Sequence, residues 1–142
     1  MNVELVMKII LGGVLFACAI IDIKSKKISL VVLGITFVWV LIVLPFRKDI
    51  SCIEGLGGFL VGITLFGINR VTREQIGLGD ACLFCIMGVG LGFWDNLNLL
   101  LYSLLLAAIF SAGLILIKKV GKRYAIPFVP FVLLGYIGVL LL

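Results

Sequence analysis

The sequence predicts an all-α polytopic membrane protein with six transmembrane helices, and three observations carry that expectation. Residues of the AVILMFWYC set make up 63% of the 142 positions and charged residues only 13%. The mean hydropathy is +1.36. Uncharged apolar runs recur at regular intervals, and no stretch has the composition of a flexible linker or a second domain. At about 18 to 20 residues per crossing, six crossings consume roughly 110 to 120 residues and leave only short connections. Nineteen charged side chains give too little polar surface for a water-soluble domain. A soluble globular domain, a disordered chain and a nucleic-acid-binding module are therefore not expected.

The first run, residues 9–21, has thirteen residues and reaches crossing length only by extending past Asp22. Glu4 precedes Lys8 and no small-residue cleavage site follows before Asp22, so a retained span is expected rather than a signal peptide. Residues 28–46 form a clean run of nineteen. The glycine-rich run 55–69 is shorter and borrows from residues 50–54. The fourth run, 81–94, has fourteen residues and again reaches crossing length only past an aspartate, Asp80. Runs of twenty-two residues, 96–117, and eighteen, 125–142, complete the set. Gly58 with Gly62, and Gly88 with Gly92, make small-xxx-small pairs that let helices approach closely. Pro127 and Pro130 are expected to kink or unwind the start of the last span. Trp94 and Tyr124 suit an interfacial aromatic belt, and Trp39 suits mid-span packing.

The net charge of +5 is read as a signal to lipid rather than to nucleic acid. Nine of the twelve positive charges follow spans one, three and five: Lys24, Lys26 and Lys27; Arg70 and Arg73; Lys118, Lys119, Lys122 and Arg123. The positive-inside bias places these loops in the cytoplasm beside anionic lipid, with both termini outside. The expected location is the inner or plasma membrane. Asp22 and Asp80, 58 positions apart in sequence, then lie at similar depth on the cytoplasmic side.

The chain has no histidine, which removes histidine bases, Ser-His-Asp and Cys-His catalysis, and the commonest metal sites. Four scattered cysteines do not make a disulfide scaffold, and Cys82 and Cys85 in their apolar run are expected to be packing residues. An ionisable residue inside a span costs roughly 2.5 to 3.5 kcal/mol on insertion scales, so each is a functional candidate. Taken alone, Asp22 could simply reach the interface beside Lys24. Asp80 ends Gly77-Leu78-Gly79-Asp80, where two glycines let the backbone leave the helix and approach another chain. Two carboxylates brought together share a proton, so one can take a proton from water while the other polarises a carbonyl. That chemistry requires no metal or organic cofactor. Helix polarity favours charge on Asp80, near a helix N-terminus, over Asp22, near a C-terminus.

Gly77-Leu78-Gly79-Asp80 matches the GxGD pattern of intramembrane aspartic proteases, and Asp22 followed by Lys24, Lys26, Lys27 and Ile28 resembles the first-aspartate motif of type IV prepilin peptidases. The segment Ile126-Pro127-Phe128-Val129-Pro130-Phe131, with Gly135 following, is similar to that family's proline-containing last segment. Presenilin-like GxGD proteases share the second motif but have larger, nine-span chains. The resemblance implies a single transmembrane peptidase domain over residues 1–142, in a short form without the methyltransferase domain. It further implies an aspartic endopeptidase that removes the basic leader from prepilin-like or preflagellin-like substrates at the cytoplasmic membrane face. Asp22 and Asp80 are the expected catalytic pair, and Gly77 and Gly79 the backbone of the motif. Glu74 is an acidic candidate for meeting a basic leader, and an unwound stretch at Pro127 and Pro130 could present an edge to an extended substrate.

Two departures stand out. Ser29-Leu30 occupies the place of the family's usual Pro-Asn, and Cys82 that of a common lysine two positions after the second aspartate. Two other readings use the same residues: a small proton- or cation-coupled transporter or channel, and an inactive relative serving as a scaffold. A transporter needs a continuous polar path, whereas the outer halves of spans two, five and six carry no charge.

Overall fold

The computed structural model describes residues 2–72, 77–118 and 126–142. Arg73, Glu74, Lys119, Lys122, Arg123 and Tyr124 lie outside the described residues. Among the described residues six α-helices follow one another: α1 Val3–Ser25, α2 Leu30–Val43, α3 Cys52–Val71, α4 Leu78–Leu91, α5 Phe93–Lys118 and α6 Val129–Leu141. A 3-10 turn, Leu44–Phe46, extends α2. There is no strand among the described residues.

Among the described residues three helices are long and apolar enough to cross a membrane: Val3–Ser25, Cys52–Val71 and Phe93–Ile117. The apolar segments Leu30–Phe46, Leu78–Leu91 and Val129–Leu141 are shorter. The first run therefore gains crossing length past Asp22 as expected, but the fourth does not gain it past Asp80. Its fourteen residues shift toward the N-terminus rather than lengthen, because Gly92 at φ +89° breaks the helix. Phe93 and Trp94 consequently open α5 instead of closing α4. Gly92 is thus a turn residue and not half of a packing pair.

Local signals set the other boundaries. Ser51 caps α3 through a capping box: its hydroxyl accepts from the Ile53 amide at 3.1 Å, and the Glu54 carboxylate accepts from the Ser51 amide at 3.0 Å. Lys26 ends α1 in the left-handed region, φ 52°, with its amide donating to the Asp22 carbonyl at 2.8 Å. Pro130 sits in the first turn of α6, where the missing amide hydrogen breaks no helical bond.

Helix α4 is the centre of the bundle. It is apolar on every face, and ten of its fourteen residues are buried. Its closest neighbour is α3, along a seam of small residues. A Cβ added at Gly58 would stand 2.2 Å from the Gly88 carbonyl oxygen, and one at Gly62 would stand 2.3 Å from Cys85 Sγ. Gly88 therefore packs as its spacing suggests, and Cys85 is a buried packing residue. The fully buried Asn96 of α5 donates from Nδ2 to the carbonyls of Gly58 at 3.0 Å and Phe84 at 3.1 Å, joining three helices at one point.

Helix α6 closes the bundle against α1 and α5. The buried Tyr136 hydroxyl donates to the Lys8 carbonyl at 2.7 Å, and its ring lies over Gly12. Beyond 3-10 turn Leu44–Phe46, Arg47 folds inward and is 7% exposed. Its guanidinium donates to the Gly90 carbonyl and pairs with Asp49, fastening the α2–α3 connection to the end of α4. Outside this core the helices present large apolar side chains, among them Ile35, Leu56, Ile109 and Leu116. Such a surface suits acyl chains rather than water.

Two outcomes follow for the seam and the clamp. Gly58→Ala should lower stability in detergent micelles by about 1–3 kcal/mol through overpacking. Gly67→Ala, on the same helix with open space around it, should raise it by roughly 0.5–1 kcal/mol. Thermal unfolding of the two variants checks the contrast. The hydrogen bond from Arg47 holds the Asp49 carboxyl below the usual carboxylate range. Because the folded value is the lower one, this contribution is present above the ordinary carboxylate range and is lost as pH falls through the lowered value. Amide exchange in α4 near Gly90 should accelerate over that acidic interval, and Asp49→Asn should remove the dependence.

Candidate active site

Three helix ends meet at the end of the bundle opposite Arg47. The last turn of α1 contributes Asp22, the first turn of α4 contributes Asp80, and the N-terminus of α6 arrives between them in space. Asp22 is 7% exposed and Asp80 is partly buried. Although far apart in sequence, both aspartates line the same two cavities.

The larger cavity, about 440 Å³, also has Lys26, Gly77, Pro127 and Phe128 on its walls. The smaller, about 310 Å³, is completed by Lys27, Ile28, Leu30 and the Gly77–Gly79 backbone. Polar groups therefore converge on one side, while Leu65, Phe84, Leu100 and Leu104 keep the far wall of the larger cavity apolar.

Each glycine of the motif has a distinct steric reason. A Cβ at Gly77 would stand 2.9 Å from Asp80 Oδ2, so glycine leaves the carboxylate its room. A Cβ at Gly79 would stand 2.8 Å from Ile28 Cβ, so glycine lets the α1–α2 connection lie against α4. The second contact brings the chain following Asp22 up to the helix that carries Asp80.

Asp22 is held by a bond to which no sequence motif pointed. The Val129 amide, first in α6, donates to Asp22 Oδ2 at 3.0 Å across 107 positions of sequence. The signal available was Pro130: a proline in a helix's first turn marks a start, and the amide just before it needs an acceptor. Both aspartates thus face a helix N-terminus, Asp80 that of α4 and Asp22 that of α6. Asp22 therefore stands at the C-terminus of α1, where it was expected, and also at the N-terminus of α6.

Of the other expected site residues, Pro127 lies in the non-helical stretch Ile126–Phe128 and lines the larger cavity. Pro130 lies inside α6 and lines neither cavity. Glu74 falls outside the described residues. Lys26 and Lys27, expected as orientation signals and as part of the first-aspartate motif, line the site. Cys82 is partly buried and lines an apolar cavity on another face of α4. Among the described residues no three His, Cys, Asp or Glu side chains gather where they could hold a metal ion.

The site can therefore offer two carboxylates, one fixed by a backbone amide, in a partly apolar cavity that has room for a peptide backbone and water. Known proteins point the same way. The type IV leader peptidase family matches residues 9–112, which include both aspartates. A prepilin leader peptidase/N-methyltransferase of Bacillus subtilis (strain 168) is 31% identical over 88 residues, covering 61% of this chain and 36% of the relative. One of the same description from Aeromonas salmonicida (strain A449) is 36% identical over 94 residues, covering 63% of this chain and 32% of the relative. The matched stretch is thus about a third of the length of these relatives. No solved structure matches significantly. With the match extending from α1 well into α5, the chain belongs to the type IV leader peptidase family.

Proposed function

We propose that this protein is an intramembrane aspartic endopeptidase that cleaves the basic leader from prepilin-like substrates at the cytoplasmic face of the inner or plasma membrane. The observation that carries the reading is the convergence of Asp22 and Asp80 on two shared cavities, in a chain of this family. The whole of residues 1–142 acts as one transmembrane peptidase domain. Its six helices cross or enter the membrane with both termini outside. In that arrangement the end of α1 and the starts of α4 and α6 share the cytoplasmic side, which agrees with their meeting at one site. The cationic loops on that side contact anionic lipid.

The short helix α4 supports a water-using reaction. Fourteen residues rise about 21 Å, well short of the ~30 Å apolar core. Asp80 then lies below the membrane face, and the cavities beside it lead water and substrate down to it.

The pair works as follows. One carboxylate takes a proton from water, whose oxygen attacks the scissile carbonyl carbon. The other, protonated, gives its proton to the carbonyl oxygen. The tetrahedral intermediate then collapses: the amine nitrogen takes a proton from the pair as the C–N bond breaks, and one hydroxyl of the intermediate returns its proton to the pair, which restores the starting state. Asp22 Oδ2 already accepts from the Val129 amide, which favours Oδ1 for proton exchange. Val129 therefore orients Asp22 without touching substrate. The non-helical Ile126–Phe128 segment with Pro127 forms the edge along which an extended substrate lies. Glu74 meets the basic leader.

Co-expression with prepilins of the same organism should give a leader-sized mobility shift. Asp22→Asn and Asp80→Asn should each lower cleavage by about 10³-fold while the protein still folds. Unshifted substrate with the wild type, under conditions where an authentic prepilin peptidase succeeds, would overturn the reading. Asp22→Ala should also cost about 1 kcal/mol of stability, because alanine cannot accept from the Val129 amide and asparagine can. Gly79→Ala should keep the helices but displace Ile28 and reduce cleavage by roughly tenfold or more, as small misplacements of catalytic groups do.

A further inference from the structure

Among the described residues Lys26 is the one non-glycine whose backbone lies at positive φ, 52°. It closes α1, with its amide donating to the Asp22 carbonyl at 2.8 Å. Helices that end this way usually do so on glycine, which enters the left-handed region freely, whereas a Cβ there crowds its own backbone. The chain thus carries a lysine where glycine would end the helix without strain. Strain of this kind gathers at functional sites.

The location of the side chain gives that lysine a role. Four residues line both cavities of the site: Asp22, Asp80, Gly77 and Lys26. A peptide bond attacked at the aspartate pair lies where the two cavities meet, and Lys26 stands beside it. Hydrogen-bond donors are scarce there. An extended substrate brings one carbonyl acceptor per residue, and a carbonyl taken out of water without a donor weakens binding. Carboxylates accept, and the one proton of the pair goes to the scissile carbonyl. Pro127, on the edge of the larger cavity, has no amide hydrogen to offer. Among the described residues that line this cavity, Lys26 is the only side chain besides the aspartates with a hydrogen to donate; the smaller cavity adds Lys27.

We infer that Lys26 is a substrate-binding residue, whose ammonium donates to a backbone carbonyl of the extended substrate next to the bond that Asp22 and Asp80 cut. The inference rests on the peptidase reading and adds what holds the substrate's backbone at the pair. An ammonium has three hydrogens, so it can serve a substrate carbonyl together with a contact inside the protein. Lys26 takes no part in the proton transfers.

The left-handed turn permits a variant that removes the side chain and keeps the fold. Glycine suits φ 52° better than lysine, so the thermal unfolding midpoint of Lys26→Gly should be no lower than that of the wild type. Cleavage is read on a full-length prepilin assembled by chemical ligation, in detergent micelles without anionic lipid, where the lysine cannot act through a membrane surface. Lys26→Gly and Lys26→Met should each raise KM about tenfold and leave kcat within about twofold of the wild type, and Lys26→Arg should restore KM. Lys24→Met, exposed in the last turn of α1 and lining neither cavity, should change neither constant. Replacing the substrate carbonyl on one side or the other of the scissile one by a thiocarbonyl, a weaker acceptor, should raise KM for the wild type severalfold and have no further effect on Lys26→Gly. A normal KM in Lys26→Gly, failure of arginine to restore it, a fall confined to kcat, or equal thiocarbonyl effects in the two proteins would overturn the role of Lys26 and leave the peptidase reading standing. A wild type that leaves this prepilin uncut, where an authentic prepilin peptidase cuts it, would overturn both.

Discussion

At Gly58 and Gly88 the backbones of α3 and α4 approach so closely that a Cβ on either residue would lie within 2.2 Å of the other's carbonyl oxygen. Contact of this kind matters in a membrane, where lipid is as apolar as leucine and helices associate through packing and hydrogen bonds. Asn96 reinforces the point by giving both hydrogens of its amide nitrogen to carbonyls of α3 and α4. With α3 and α5 fixed against it, α4 is covered on nearly all sides, and a helix too short to cross the bilayer becomes the axis of the bundle. The placement of Asp80 follows, because it stands in the first turn of that axis.

Asp22 is placed by a different device. The carboxylate reaches out of the last turn of α1 and accepts the first amide of α6, so the candidate catalytic residue also caps a distant helix. A short polar side chain at a helix start is ordinary; here the cap comes from 107 positions upstream. The contact ties the unwound segment before Val129 to the site and holds the wall of the larger cavity in place.

Much of this was legible in the residues. Apolar runs gave six helices of nearly the right extent, and the two aspartates that interrupted them lie together. What the runs could not show was how chain breaks divide them. Gly92 gave Trp94 to α5 rather than α4, because one residue at positive φ ends a helix where composition continues unchanged. Pairwise glycine spacing was informative for Gly58 and Gly62 and misleading for Gly92, since spacing does not say whether a glycine faces a partner or turns the chain. Lys26 read as a topological charge and a motif position, with no role on the cavity wall; the left-handed end of α1 brings it there. Long-range bonds such as Val129 to Asp22 leave no periodic trace at all.

Energetics explain why the aspartates and the shortness of α4 belong together. Two carboxylates within an apolar core would each cost roughly 2.5 to 3.5 kcal/mol on insertion scales. A full-length α4 would set Asp80 at the membrane face, where water is plentiful and a peptide bond need not be excluded from it. With the helix starting at Leu78, both carboxylates instead line open cavities, the larger of which keeps an apolar far wall. The cost of burial is offset by hydration from one side and by helix termini from the other. On the proposed peptidase reading, this is the setting in which two acids and an attacking water would stand together beside a peptide bond.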